Sequence, residues 1–364
     1  MSDGAERTDA PDTTTLWPST GPTTLEADGA NDPGKPPPAR LPRMSRGQYA
    51  WQIAERYSLI AVWALMIVVY GLAAPSTFLT VGTFDTIAGS QEPLVFISFA
   101  LLVTFLVGEF DLSVASMLGL SATLLPVLYT LHHVALPLAI IISVLAGVVA
   151  GAVNGFLVIV VRVSPIVATL GTGTLWLGVA LGISNLETVG GLPSSIANIS
   201  NWPLFGLPIS FYYGILLMLV IAYVIRYTPV GRHAIFVGAN REVARLAGIR
   251  VNRIRFLTYV MSGTLCGVGG AILVCGLGGF DPSSSQSYLL PGFSAVFLGT
   301  AVVKPGTFNP VGTMIAIYFL NTGIVGLEVL GVSGWVSDVF YGAALVIAVS
   351  VSALVRRRQL GATD

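Results

Sequence analysis

From Ser58 onward the chain alternates apolar stretches with short polar breaks. Inside hydrocarbon every backbone N–H and C=O must find its partner within the protein, and a stretch of about 20 apolar residues spans the layer as a helix. The pattern predicts ten helical spans, near 58–74, 94–107, 112–130, 134–161, 166–183, 209–225, 256–279, 289–303, 309–327 and 336–355. The second and eighth are short for a crossing, so they are expected to be tilted, broken or partly spanning, and eight to ten crossings fit. Only 10% of the 364 residues are charged and 54% are hydrophobic, against about 25% charged in soluble domains. This argues against a water-soluble enzyme and for an all-α polytopic membrane protein.

The basic residues orient this frame. Arg40, Arg43, Arg46 and Arg56 precede the first span, and Arg356, Arg357 and Arg358 follow the last, so the positive-inside rule places both termini in the cytoplasm. With ten spans, Arg162, the arginines between 226 and 255 and Lys304 also fall inside. The outer loops then hold Asp85, Glu92, Glu187, Asp281, Glu328 and Asp338, and neither Lys nor Arg. Three parts are expected. Residues 1–47, rich in Pro and Thr without an apolar run, read as a disordered cytoplasmic tail. Residues 48–355 form the membrane domain, and 356–364 a short cytoplasmic tail.

Two segments echo each other. Gly108-Glu109-Phe110-Asp111-Leu112-Ser113 returns 170 positions later as Gly278-Gly279-Phe280-Asp281-Pro282-Ser283. Asn154 with Val163-Ser164 returns as Asn321 with Val332-Ser333. Each echo relates a span to the one five later, so the copies would be oppositely oriented, a five-plus-five inverted repeat. Cys266 and Cys275 lie about 13 Å apart along one helix, beyond the Cα separation of about 7 Å that a disulfide tolerates. His132 and His133 have no Cys or carboxylate at ligand spacing, so no metal site is expected. The 18 basic and 18 acidic residues cancel, and bulk charge gives nucleic acid no attraction.

Polar residues beside or within the spans are expensive unless they face water, a partner or a cavity. Asp111 and Ser113 stand where they can cap a following helix, whereas Glu109 suits a polar cavity or a gating contact. Gly147, Gly151 and Gly155 share a helix face that another backbone can approach, with Asn154 beside them. Ser164 and Pro165 open a helix made slim and polar by Thr169, Thr172, Thr174 and several glycines. Trp176 offers either an apolar face for a sugar ring or core packing. Glu109, Asp111, Ser113, Asn154, Thr169, Thr172, Trp176 and Asn321 are therefore candidates for a translocation path.

The segment 226–255 holds seven arginines and one acid, Glu242. Asn240 to Gly248 reads as a two-turn helix, capped by Asn240 and stopped by Gly248, with Val243, Leu246 and Ala247 as an apolar stripe. A basic loop on anionic headgroups explains the arginines, but not a capped helix with a defined stop. The Glu-Val-Ala-x-x-x-Gly of Glu242 to Gly248 resembles the coupling motif of permeases of ATP-binding-cassette importers. The ribose, xylose and autoinducer type is meant, which shares a superfamily with branched-chain amino acid permeases. Thr228-Pro-Val-Gly-Arg232 and Val237-Gly-Ala-Asn240 are similar to the segment leading into that motif. Asp111-Leu-Ser113, Asn154-Gly155, Pro165 to Gly171 and Gly331-Val-Ser333 fall where the family has comparable motifs. Glu109 departs from the pattern, standing where ribose-type permeases usually have glycine.

The resemblance implies a multi-pass subunit of the bacterial inner membrane. It would pair with a second permease copy or paralogue, dock two cytoplasmic ATPases and receive solute from an extracytoplasmic binding protein. Arg232, Asn240, Glu242, Val243, Arg245, Leu246 and Gly248 would form the coupling surface. The chain has no Gly-x-x-x-x-Gly-Lys-Ser/Thr, so it is expected to bind no nucleotide or other cofactor, the partner hydrolysing ATP. Hydroxyls and amides in the path suit a neutral monosaccharide or polyol. The alternatives are a branched-chain amino acid permease and a proton- or sodium-driven secondary transporter using Glu109 and Asp111.

Overall fold

The computed structural model describes residues 46–200, 202–332 and 334–361. The tail expected over 1–47 and the echo at Ser333 lie outside them, apart from the first turn of a helix that begins at Arg46. Among the described residues the chain is helical, with two antiparallel pairs of two-residue strands, Val189–Gly190 with Gly279–Phe280 and Pro203–Leu204 with Leu207–Pro208.

The helices used below are α1 (Arg46–Ala73), α2 (Val81–Phe105), α3 (Val114–Leu131), α4 (Leu136–Ile159), α5 (Pro165–Ile183), α6 (Ile209–Tyr227), α7 (Pro229–Ala239) and α8 (Arg241–Leu246). They are followed by α9 (Val251–Leu277), α10 (Leu289–Gly299), α11 (Pro310–Val329) and α12 (Trp335–Gly361). Each of the ten expected spans falls on one of these helices. Among the described residues, seven are long and apolar enough to cross a membrane: α2, α3, α4, α5, α6, α9 and α11.

Two of the spans differ from expectation in instructive ways. The second begins at Val81 rather than 94, because Thr80 caps its first turn by accepting from Thr83 N and the helix resumes after a turn at Ser90–Gln91. Asp85 and Glu92, expected in an outer loop, therefore sit within α2. The eighth, α10, has 11 residues and reaches only about 16 Å, roughly half of the hydrocarbon layer. A 3-10 segment, Pro282–Tyr288, leads into it.

From Pro93 to Phe105, α2 is buried on every side, which marks it as a central helix. Phe99, Ile97, Leu101 and Leu102 pack there with Met117 and Leu118 of α3 and Ile317 and Leu320 of α11. Leucines and valines on the outside of α4, α5 and α6, such as Leu145, Val149, Leu170, Leu175, Leu216 and Leu219, are exposed. Exposed apolar surface on that scale is a lipid face.

α9 packs along α4, α3 and α2, and glycines set its distance from α4. A Cβ added at Gly263 would lie 2.2 Å from Gly147 O, and one added at Gly151 would lie 2.3 Å from Tyr259 O. The two backbones touch. The glycine face expected on α4 is thus a contact face.

The echoed segments form matching breaks. Gly108 and Gly278 both turn the chain with positive φ, 72° and 76°. Asp111 Oδ1 accepts from Ser113 N at 3.1 Å, and Asp281 Oδ1 accepts from Ser283 N at 2.9 Å. The first break lies beside Arg255, near the start of α9, and the second directly follows its end. A 27-residue helix is about 40 Å long, so the breaks lie toward opposite faces of the layer, as an inverted repeat requires.

Candidate functional site

The first region is the connection from α6 to α9. Thr228 ends α6 and opens α7, its hydroxyl donating to Val224 O at 2.6 Å and accepting from Gly231 N at 3.2 Å. Gly231 allows the tight reversal, since a Cβ there would meet Val224 O at 2.3 Å. Asn240 Oδ1 then accepts from Glu242 N at 3.0 Å and Val243 N at 3.1 Å, capping α8. Gly248, at φ +79°, ends the turn while Ile249 N closes onto Ala244 O. Cap and stop stand where the sequence placed them.

Burial divides the residues of α8. Ala244 is fully buried against Val107, Ala234, Val237 and Ile254, which fixes the helix to the body. Val243 and Leu246 face outward, Leu246 with 79% of its surface exposed. Arg245 donates to Glu242 at 2.6 Å across the exposed face, and Arg232 is exposed on α7. An apolar pair flanked by charges is thus held outward on a fixed short helix.

The second region is the break between α2 and α3. Glu109 is fully buried. Its Oε1 accepts from Arg241 Nη2 at 2.9 Å and from Arg255 Nε, and its Oε2 from the Tyr259 hydroxyl at 3.2 Å. Arg241 also donates to the carbonyls of Val107 and Gly108. The carboxylate thus sits between two guanidinium groups, which offset the cost of its burial.

Two residues further on, a second network begins. Asp111 Oδ1 accepts from the Ser113 amide and hydroxyl, and Oδ2 accepts from the Ser262 hydroxyl at 2.9 Å. Asn154 Nδ2 donates to Ser113 Oγ at 2.7 Å, and Thr172 donates to Asn154 Oδ1 at 2.6 Å. Thr169 accepts from Leu112 N at 3.0 Å. Four helices, α3, α4, α5 and α9, are thereby joined at one level, with each side chain satisfied by its neighbours. The expected capping by Ser113 does not form, because its hydroxyl serves Asp111 and Asn154 instead.

Of the candidates for a polar path, Asp111, Ser113, Asn154, Thr169 and Thr172 are brought together. Glu109 lies next to them but in the arginine pair. Asn321 stands apart on α11, donating to Ile87 O at 2.9 Å, and Trp176 Nε1 is buried without a partner. The sequence reading missed Arg241, Arg255, Tyr259 and Ser262. The last three recur at i, i+4 and i+7 on α9, a polar stripe in an otherwise apolar helix that carried the signal. Among the described residues no group of three or more His, Cys, Asp or Glu is placed to hold a metal ion.

A bundle of membrane helices with two matching breaks, and a short capped helix at its surface, has the architecture of a membrane permease. A family profile described as branched-chain amino acid transport system, permease component, matches residues 83–349, and the chain belongs to this family. It is similar to the autoinducer 2 import system permease protein LsrD of Escherichia coli (strain K12), of Shigella flexneri and of Escherichia coli O157:H7. Identity to each is 31% over 324 residues, covering 86% of this chain and 95% of the relative. No solved structure matches. The chain is a multi-pass membrane transport subunit of the importer type.

Proposed function

We propose that the chain forms the translocation path for a small neutral hydroxylated solute, a monosaccharide or polyol, and draws its energy from a separate ATPase docked on α8. The observation that carries this reading is the outward pair Val243 and Leu246 on a helix anchored by Ala244. Two permease chains, two ATPases and an extracytoplasmic binding protein would complete the importer. Glu242, Arg245 and Arg232 would frame the ATPase contact, with Asn240 and Gly248 holding its shape. The resemblance to permeases that import autoinducer 2 supports a polyol-like solute. Supporting it too is the hydroxyl and amide chemistry of Ser113, Asn154, Thr169 and Thr172. A zwitterionic amino acid would ask for a cation against its carboxylate, and the arginines nearest the break, Arg241 and Arg255, are held by Glu109.

The test is co-purification with the ATPase. An aspartate at position 246 would put a charge into an apolar contact, where removing a central anchor typically costs about 2 kcal/mol or more. Leu246→Asp is expected to lower recovery of the complex by roughly thirtyfold and to stop uptake of autoinducer 2 or D-ribose, offered as alternative probes. Glu242→Ala should weaken both less. Full complex formation and normal uptake by Leu246→Asp would refute the docking assignment. Uptake that collapses with an uncoupler but survives ATP depletion would point to a secondary transporter instead.

A further inference from the structure

The geometry points to Glu109 as a latch that carries motion of α8 into the polar network around Asp111, an inference that rests on the coupling role proposed for α8. Arg241 is the first residue of α8, and 44% of its side chain is exposed. Its guanidinium reaches inward to three acceptors on one short stretch, the carbonyls of Val107 and Gly108 and the Glu109 carboxylate. Glu109 has no exposed surface and is held from the other side by Arg255 and Tyr259, both on α9. The start of the docking helix, the break after α2 and the first third of α9 thus meet on one carboxylate.

The chain continues from that carboxylate into the network. Phe110 follows, with its carbonyl 3.4 Å from the Tyr259 hydroxyl, and Asp111 is bonded to Ser113 and Ser262. Tyr259 and Ser262 lie three residues apart on α9, so Glu109 and Asp111 bind successive turns of the same helix. A displacement of α8 would pull, through Arg241 Nη2, on Glu109 and on the two carbonyls before it while Arg255 resists. The break must shift relative to α9 or the ion pair must part. Packed interiors answer such a pull by switching between discrete arrangements. A hydrogen bond between neutral groups would yield at this point, whereas a buried charge between two cations does not part readily. Glu109 is a positioning residue in this scheme, touching no solute.

The experiment uses the full chain in complex with its ATPase, with Cys266 and Cys275 replaced by alanine and a single reporter at Phe110→Cys. Phe110 lies in the break and is 40% exposed. The rate of maleimide labelling is compared in the nucleotide-free state and after trapping with ATP and vanadate. With the latch intact the rate should differ about fivefold or more between the states. Glu109→Gln should co-purify with the ATPase as the parent does yet label equally in both states. Arg241→Met, which removes the arm from α8 and leaves Arg255 and Tyr259 on Glu109, should lose the response, and Arg241→Lys should keep part of it. The proposal is overturned by an unaltered response in Glu109→Gln and Arg241→Met, by no response in the parent, or by loss of ATPase binding in Glu109→Gln. If Glu109→Gln does not accumulate, Arg241→Met decides alone. Failure of the docking assignment would appear separately, as full ATPase binding by Leu246→Asp.

Discussion

Gly263→Leu is expected to leave almost no correctly assembled protein in the membrane. A Cβ at this position would lie 2.2 Å from Gly147 O and 2.8 Å from both the Cα and the N of Gly151. Each of these is backbone, so no side chain can swing aside, and only separation of α4 from α9 makes room. That separation would forfeit the contacts of Gly147, Gly151 and Gly267 together, since a Cβ on Gly267 would already meet Val144 O at 2.8 Å. Overpacking a well-filled interior costs about 1–3 kcal/mol, and more where nothing yields. Helices in lipid also lack a hydrophobic force to bring them back together. The measurement is the monodisperse fraction of detergent-extracted protein and its unfolding temperature. Gly178→Leu on α5 is the control, because a Cβ there meets nothing within 4 Å; its yield should match the parent within the scatter of surface substitutions, about 0.5 kcal/mol. Equal yields from the two variants would show that the α4–α9 approach does not hold the bundle together.

The sequence could show one side of that contact and not the other. Gly147, Gly151 and Gly155 at four-residue spacing announce a face that another backbone approaches, but spacing names no partner. Gly263 and Gly267 repeat the spacing on α9 and went unread. The same limit applies to charge. Asn240 and Gly248 were legible as cap and stop because helix ends are decided by residues within a few positions. Glu109 was legible only as a costly carboxylate in want of a partner, and its partners lie 132 and 146 positions away. Asp85 and Glu92 looked like loop residues because Thr, Ser and Gln interrupt their apolar run. A local cap at Thr80 and burial against neighbouring helices carried α2 through them, and only tertiary packing could have revealed that.

Asn154→Leu is expected to abolish uptake while leaving the protein inserted in normal amounts. Leucine has the same branched side-chain skeleton as asparagine, with two methyl groups in place of the amide oxygen and nitrogen, so the packing of α4 against α3 and α5 is largely kept. What is lost is a donor to Ser113 Oγ and an acceptor for Thr172. Hydrogen bonds between membrane helices contribute about 0.6 kcal/mol on average, and an orphaned buried hydroxyl adds about 1–3 kcal/mol. A bundle of this size tolerates such a loss. Transport should not, because Asn154 alone connects Thr172 of α5 with Ser113, and through Ser113 with Asp111 and Ser262 of α9. Without it, α5 keeps only the bond from Leu112 N to Thr169 as its link to the break that follows Glu109, and its link to Ser113 and Asp111 is gone. Thr172→Val cuts the same link from the other side, so it should impair uptake comparably. The double variant should be little worse than either single one, as residues acting in one network are not additive. Insertion is read from the amount of membrane protein and function from uptake of D-ribose or autoinducer 2, whichever the parent transports. Unchanged uptake by Asn154→Leu would reduce Asn154 to a packing residue, and strictly additive losses would place Thr172 in a separate role. The distinction matters mechanically: a network that closes four helices at one level can gate a path only if its links open together.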